Sequence, residues 1–462
     1  MKSVKKRPVP ARRVPPGAKR PVRKTNNKRL TWLVFCLTGV AMLSAMAGAL
    51  LAVSLASTPL MQRKFTSQEA SIFNKGEIAN SSLKMPGLTR PVNILVLGTK
   101  VLTTDVQEVP DHLKNLKYHA LVNSFEGLTD TMLLVRFNPE NKKVSVLSLP
   151  RDTRAEIPGY GVTKLNSANV HGGPALSARS VSQLLGGVGI DRYVTINVQG
   201  VQALVDALGG VTVHVPKDMK YRDDSQHLYI NLKAGRQHLN GEQLLQLLRF
   251  RYDEYGDIGR IQRQQMVMRA LMEQALNPAT ITRLPKILSV IQSHIDTNLS
   301  VEEIAALVGF AAQTNRSNTQ MLMLPGEFSH PGEFDASYWI PTYRRIQGLM
   351  ARHFDFGSAD EIDNNSPENL RVTIQDSTKQ PNTAQSVVKQ LQKSGYGDVG
   401  IGQPWNESLS VTRIVAQRGD SQQAEAIRKA LGFGEVRIEN TGDIESDVTI
   451  QLGKDSTQAS KK

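Results

Sequence analysis

Leu30 to Ser57 is a run of 28 residues without a charged side chain, and it divides the chain into parts that cannot share one core. As a helix it would be roughly 40 Å long, more than enough for a hydrocarbon layer of about 30 Å. Residues 1–29 before it hold twelve Lys or Arg, five Pro and no acid. That composition reads as a disordered basic tail. The positive-inside rule keeps such a tail in the cytoplasm and puts everything beyond residue 60 outside. Ala45-Met46-Ala47 resembles a signal-peptide cleavage site. The apolar run continues ten residues past it, which favours an uncleaved single-pass anchor in the cytoplasmic membrane. The only cysteine, Cys36, lies inside the run. The exported part therefore has no disulfide or Cys-ligated metal and depends on its buried core.

The formal net charge is +14. Removing the twelve cations of the tail leaves about +2 over the other 433 residues, so the charge does not by itself imply a nucleic-acid partner. After a mixed polar stalk (58–91), Val92 to Gly98 reads as a buried strand. A long polar loop, 100–127, follows; such loops are functional or mobile. Thr131–Phe137 and Lys143–Leu149 read as strands joined by the turn Asn138-Pro139-Glu140-Asn141, and the second runs into Pro150-Arg151-Asp152-Thr153. A helix near Ala175 to Leu185, a strand at Arg192 to Val198 and a helix from Gly200 to Leu208 stopped by Gly209-Gly210 come next. Val211 to Val215 alternates as a strand, and Tyr221 to His238 reads as a polar excursion. Helices at about 279–293 and 300–312 and a strand at 320–324 complete an expected α/β domain over 92–354: a layered α-β-α fold with a central mixed sheet. Residues 355–369 are a polar linker. Beyond it, 370–453 follows a strand-helix-strand-strand-helix-strand order, a small split βαβ domain, with a further strand at 447–451 and a tail from 454.

Arg249 to Gln265 is the densest chemistry in the chain. It places Arg249, Arg251, Arg260 and Arg263 among Asp253, Glu254 and Asp257. Asn240 is an expected helix cap with Gln243 at the third position. On an extended backbone Arg249 and Arg251 point to one side. Asp257 is an expected cap for a second helix, with Ile258, Ile261, Met268 and Met272 on its apolar stripe and Arg260 and Gln264 sharing a face. A cation in a first turn opposes the helix dipole, as it would if an anion were bound there. Ion pairing with the three acids on a solvated surface accounts for the same residues. A second group lies at strand ends. If the strands ending near 137 and beginning near 143 form a hairpin, Asp130 lies beside Arg151-Asp152. A carboxylate beside several guanidinium and ammonium groups suits a Mg²⁺–pyrophosphate. No common hydrolase or nucleotide-binding motif is present, and the six histidines from His112 to His238 are scattered.

Together, VNILVLG (92–98), TDTMLL (129–134), VLSLPRDT (146–153), KLNSAN (164–169), GG (172–173), LVDALGGV (204–211), LNG (239–241), RFR (249–251) and GDIGRIQRQQ (256–265) resemble the LytR-CpsA-Psr family of cell-wall glycopolymer transferases. The region 370–453 is similar to the small C-terminal domain often attached to that family. The resemblance implies phosphotransfer of a glycan from a polyprenyl-pyrophosphate carrier to peptidoglycan, with the lipid tail in an apolar pocket under the sheet and Mg²⁺ on the pyrophosphate. Carried over, Asp130 matches the metal-binding acid and Arg151 a phosphate ligand. Arg249, Arg251, Arg260 and Gln264 match the pyrophosphate clamp, with Lys164 beside them. Asp152 is assigned to orienting or deprotonating the acceptor hydroxyl. The family usually carries an acid just after the first strand; this chain reads Gly98-Thr99-Lys100, and its next acids are Asp105, Glu108 and Asp111.

Two other readings are a non-catalytic module that holds wall or lipid-linked glycans, and a nucleic-acid-binding regulator. The tail has no aromatic residue for stacking and no helix-turn-helix pattern, and attraction to anionic lipid explains its charge. A reporter fused after residue 60 is therefore expected to be active only where it is exported. Activity confined to the cytoplasm would sink the anchor and restore the regulator.

Overall fold

In the computed structural model, the described residues are 60, 63–74, 76–80, 86–99, 125–224, 228–250, 256–314, 318–330, 332–358, 367–417, 419, 421–439, 441–443 and 445–459. The basic tail, the apolar run, most of the long loop with Lys100, Asp105, Glu108 and Asp111, and Arg251 with Asp253 and Glu254 lie outside them. Among the described residues, no helix is long and apolar enough to cross a membrane.

Strands buried on both faces build the first lobe. Its strands and helices are β1 (Val92–Thr99), β2 (Thr129–Asn138), β3 (Lys143–Leu149), β4 (Arg154–Ile157), β5 (Gly161–Lys164), α1 (Ala168–Leu184), β6 (Arg192–Ile196), α2 (Val198–Leu208), β7 (Val211–Val215), β8 (Met219–Asp223), β9 (Leu228–Leu232), β10 (Gly235–Leu239), α3 (Gly241–Arg249), α4 (Gly256–Ala275), α5 (Leu284–His294), β11 (Ile295–Thr297), α6 (Val301–Gln313), β12 (Thr319–Met323), β13 (Gly326–Phe328), β14 (Trp339–Pro341) and α7 (Tyr343–Phe354). Six strands form one mixed sheet in the order β11-β6-β1-β2-β3-β12. Met132 and Leu134 of β2 face one side, where α1 and α7 contribute Val181, Leu184, Leu349 and Phe354. Leu133 and Val135 face the other, against Met268 and Met272 of α4 and Phe310 of α6. Alternate side chains of one strand thus serve two helical layers, the expected α-β-α arrangement.

Several local expectations change. The stretch 221–238 is not an excursion but carries strands, β8 pairing with β9 and β10 with β7. Their outer faces are solvated, so among the described residues of β8, β9 and β10 only Met219, Ile230, Leu232 and Leu239 are buried apolar residues, and the alternation is thin in sequence. The helix near 175 already begins at Ala168 and is interrupted at Gly172 and Gly173, where Gly173 has φ 64°. A Cβ there would meet the Arg63 guanidinium, so glycine fits both the conformation and the space. The strand from Arg192 ends at Ile196 because Asn197 caps α2, its side chain accepting from Gly200 N at 2.8 Å. The lobe is completed not by the strand near 320 but by β13, β14 and α7, whose Ile346, Leu349 and Met350 are buried. The expected start of α3 is present: Asn240 Oδ1 accepts from Gln243 N and Gln243 Oε1 from Asn240 N.

The second lobe contains β15 (Val372–Asp376), α8 (Thr383–Lys393), β16 (Val399–Ile401), β17 (Arg413–Ala416), α9 (Ser421–Leu431), β18 (Glu435–Arg437) and β19 (Val448–Leu452). Its sheet order is β16-β15-β19-β17-β18. The further strand expected at 447–451 is therefore the central one, parallel to β15 and antiparallel to β17, with every residue buried. The lobes meet through Met321 N–Ile438 O at 3.0 Å, Arg345–Asp447 at 3.2 Å and Arg269–Glu439 at 3.1 Å.

One buried ion pair fastens the sheet to a helix. Arg192 on β6 donates to both carboxylate oxygens of Glu303 on α6, and its remaining N–H groups bind the carbonyls of Asn74, Gly76 and Asp191. All of the charge is thereby hydrogen-bonded, which is the condition under which buried charge is tolerated. Glu303→Ala leaves the Arg192 charge buried without its carboxylate and is expected to lower unfolding stability by about 3–5 kcal/mol. Urea unfolding followed by circular dichroism checks this, and a loss below about 1 kcal/mol would remove the pair from the structural account.

Candidate active site

The site is built where β2 begins and β3 ends. Antiparallel pairing sets Met132 opposite Leu149, so the residues just before Met132 lie beside those just after Leu149. Pro150 stops the ladder, and Thr153 turns the chain by donating from N and Oγ1 to Pro150 O at 3.0 and 2.6 Å. Arg151 then folds back: its Nη1 donates to Asp130 Oδ1 at 2.6 Å and its Nε to Asp152 Oδ2 at 3.2 Å. Lys164, at the end of β5, reaches Asp152 Oδ1 at 3.0 Å. The backbone is pinned from both sides, with Asn166 N donating to Arg151 O and Trp339 N to Asp152 O.

This is a chain of alternating charge, Asp130–Arg151–Asp152–Lys164, with two carboxylates and two cations. The Asp130 side chain is 13% exposed and Lys164 32%, so the chain runs from the protein wall towards water. Burial works against the charge on Arg151, but Asp130 and Asp152 outweigh it and hold the guanidinium above its ordinary range. With the pKa raised, its stabilising charge is present at every pH below that ordinary range and is lost only above it. A bare pyrophosphate entering here meets no surplus of positive charge. Asp130 and Asp152 are hard oxygen donors, and Mg²⁺ is commonly held by one or two carboxylates plus substrate phosphate. The donor set fits such an ion, although no group of three metal-ligating side chains occurs among the described residues.

The structure brings Asp130, Arg151, Asp152 and Lys164 together. Arg249 and Gln264 sit on α3 and α4, with no hydrogen bond or ion pair to that cluster among the described residues. Arg249 is the last residue of α3 rather than part of an extended run, and Phe250 after it is extended. Its Nε and Nη2 are buried with no hydrogen-bond partner among the described residues, a donor pair placed for an acceptor. Asp257 lies inside the first turn of α4, not before it. Arg251 and the side chain of Arg260 lie outside the described residues. Arg263 is buried and donates to Phe250 O at 2.6 Å, tying α4 to the end of α3.

Three site neighbours carried no usable sequence signal or only part of one. Tyr338 places its ring 5.7 Å from Lys164 Nζ, and Trp339 holds Asp152 by its backbone. Both come from β14 and the loop before it, far along the chain. Asn169 lies in the KLNSAN stretch; its Nδ2 donates to Phe125 O and Gly127 O, fixing the entry to β2 just before Asp130.

The LytR_cpsA_psr family model matches residues 60–353. The model described as LytR cell envelope-related transcriptional attenuator matches residues 369–455. The chain is 38% identical over 176 residues to Regulatory protein MsrR of Staphylococcus aureus, covering 38% of this chain and 52% of that protein. It thus spans about half the length of that relative. It is 32% identical over 259 residues to the polyisoprenyl-teichoic acid–peptidoglycan teichoic acid transferase TagU of Bacillus cereus, covering 55% of this chain and 75% of that one. Among solved structures it is similar to Bacillus subtilis TagV, with 27% identity, a TM-score of 0.47, and coverage of 58% of this chain and 99% of that one.

The charge balance of the cluster makes a thermal-shift test decisive. With Mg²⁺ present, saturating inorganic pyrophosphate is expected to raise Tm by roughly 5 °C. Without Mg²⁺ the rise should nearly vanish, and Asp130→Asn should remove the Mg²⁺-dependent part. An equal rise without the ion would contradict this account of the carboxylates.

Proposed function

The chain belongs to the LytR-CpsA-Psr family, and we propose that it is a membrane-anchored phosphotransferase attaching a glycopolymer from a polyprenyl-pyrophosphate carrier to peptidoglycan outside the cytoplasm. The observation that carries this reading is the alternating-charge chain at the adjoining ends of β2 and β3. The activity named for the TagU relative, teichoic acid transfer to peptidoglycan, supports the substrate class. The uncharged run Leu30–Ser57 supports the anchor, and phosphate-bearing lipid rather than nucleic acid is the proposed anionic partner.

Phosphoryl transfer asks a protein for charge neutralisation and alignment more than for covalent chemistry. The acceptor hydroxyl oxygen bonds to the phosphorus that carries the glycan. The bond from that phosphorus to the bridging oxygen breaks, and carrier monophosphate leaves. Asp152, fixed through its backbone by Trp339, accepts a hydrogen bond from the hydroxyl and takes its proton. Arg151 directs its forked guanidinium to the non-bridging oxygens, where charge is highest in the transition state. Lys164 holds Asp152 in place and adds a second cation. Arg249, Arg251, Arg260 and Gln264 form the proposed clamp on the carrier phosphate. A Mg²⁺ held by Asp130 would neutralise pyrophosphate charge. An apolar pocket under the sheet is the proposed seat of the lipid chain.

Purified full-length protein given a polyprenyl-pyrophosphate glycan and peptidoglycan fragments should release carrier monophosphate. Arg151→Ala and Asp152→Asn should each lower kcat by about 10²–10³. Arg249→Ala should act mainly on KM, and the combined losses should fall short of additivity. Donor binding with no release of carrier monophosphate would favour the non-catalytic glycan-holding module instead.

A further inference from the structure

A cavity of about 670 Å³ lies where the two lobes meet, between α4 with the β7–β10 pair on one side and residues 403–407 with β17 on the other. That volume is typical of a site for a small organic ligand. None of Asp130, Arg151, Asp152 and Lys164 lines it. Its walls carry Lys217, Arg236, Arg263, Arg269 and Arg413 against the carboxylates Glu273 and Glu407. Part of this charge is committed: Arg269 pairs with Glu273 and Glu439, both at 3.1 Å. Arg413 is not matched in the same way. Its Nη1 stands 3.9 Å from Glu407 Oε2, beyond hydrogen-bond reach, and is shielded from water without a hydrogen-bond partner among the described residues. Burial, and then the nearby Arg269 and Arg437, press its pKa below the ordinary range against the opposite pull of Glu407 and Glu439. The indole Nε1 of Trp405 is likewise shielded and without a partner among the described residues.

An unspent guanidinium N–H suits phosphate, and an indole offers a rigid apolar face with one polar handle. We propose that this interlobe cavity is a second binding site that takes a phosphate-bearing sugar, its anion on Arg413 and its ring against Trp405. The site gives the C-terminal lobe a share in ligand recognition, and it stands whether or not the transferase reading holds.

Calorimetric titration of the full-length protein in detergent micelles tests it, with N-acetylglucosamine 1-phosphate as probe and N-acetylglucosamine and inorganic phosphate as controls. The sugar phosphate is expected to bind at least about tenfold more tightly than either control. Arg413→Gln should weaken it by about tenfold or more, the loss of one charge-assisted hydrogen bond. Asn406→Glu, at an exposed wall position, should weaken it comparably while leaving Tm unchanged. Arg151→Gln should leave the affinity as it was. Trp405 is one of three tryptophans, so Trp405→Phe should also remove a binding-dependent change in fluorescence. Absent saturable binding, equal affinity for phosphate alone, or affinity lost in Arg151→Gln but kept in Asn406→Glu would each overturn the proposal.

Discussion

The pairing register of two antiparallel strands governs this molecule. β2 and β3 are joined by a short turn, so the start of one must lie beside the end of the other. A shift of one residue would turn every side chain of the strand to the opposite face. Here that is doubly penalised, because Leu134 and Leu133 are each buried against a different helical layer. The same register that keeps both cores filled also sets Asp130 against Arg151. Core packing and site geometry are therefore one constraint, and the chemistry inherits the rigidity of the sheet rather than of a loop.

The chain uses arginine in two distinct ways. Arg192 is surrounded by acceptors, with a carboxylate and three carbonyls taking its N–H groups. Such a group joins elements and has no donor left over. Arg249 and Arg413 have buried donors that no acceptor meets among the described residues. Buried polar groups are ordinarily paired, and a bound anion is the partner proposed for each of these two. Arg151 stands between: paired, but with carboxylates that are themselves partly exposed and shared.

Much of the site was legible in the sequence because it depends on local chain order. The hairpin turn at Asn138–Asn141 and the Pro150 stop are short-range signals, and they suffice to place Asp130 by Arg151-Asp152. The capping box at Asn240 and Gln243 is equally local. What was not legible came from packing between distant segments. The backbone of Trp339 and the ring of Tyr338 meet the cluster only because β13 and β14 fold over it. The strands of 219–239 were hidden because one face of each is in water, which dilutes the apolar alternation. The kink at Gly172-Gly173 answers to Arg63, a residue with no sequence proximity to it.

The central place of β19 has a consequence for how the C-terminal lobe is made. Its sheet consists of two halves, β15 with β16 and β17 with β18, and neither half pairs directly with the other. The strand between them is translated after all four. Until residues 448–452 emerge, each half presents an open edge, the kind of edge that other chains can extend. During synthesis the lobe thus passes through an interval of two unjoined sheets. It then closes in a single late step whose contacts are almost all long-range.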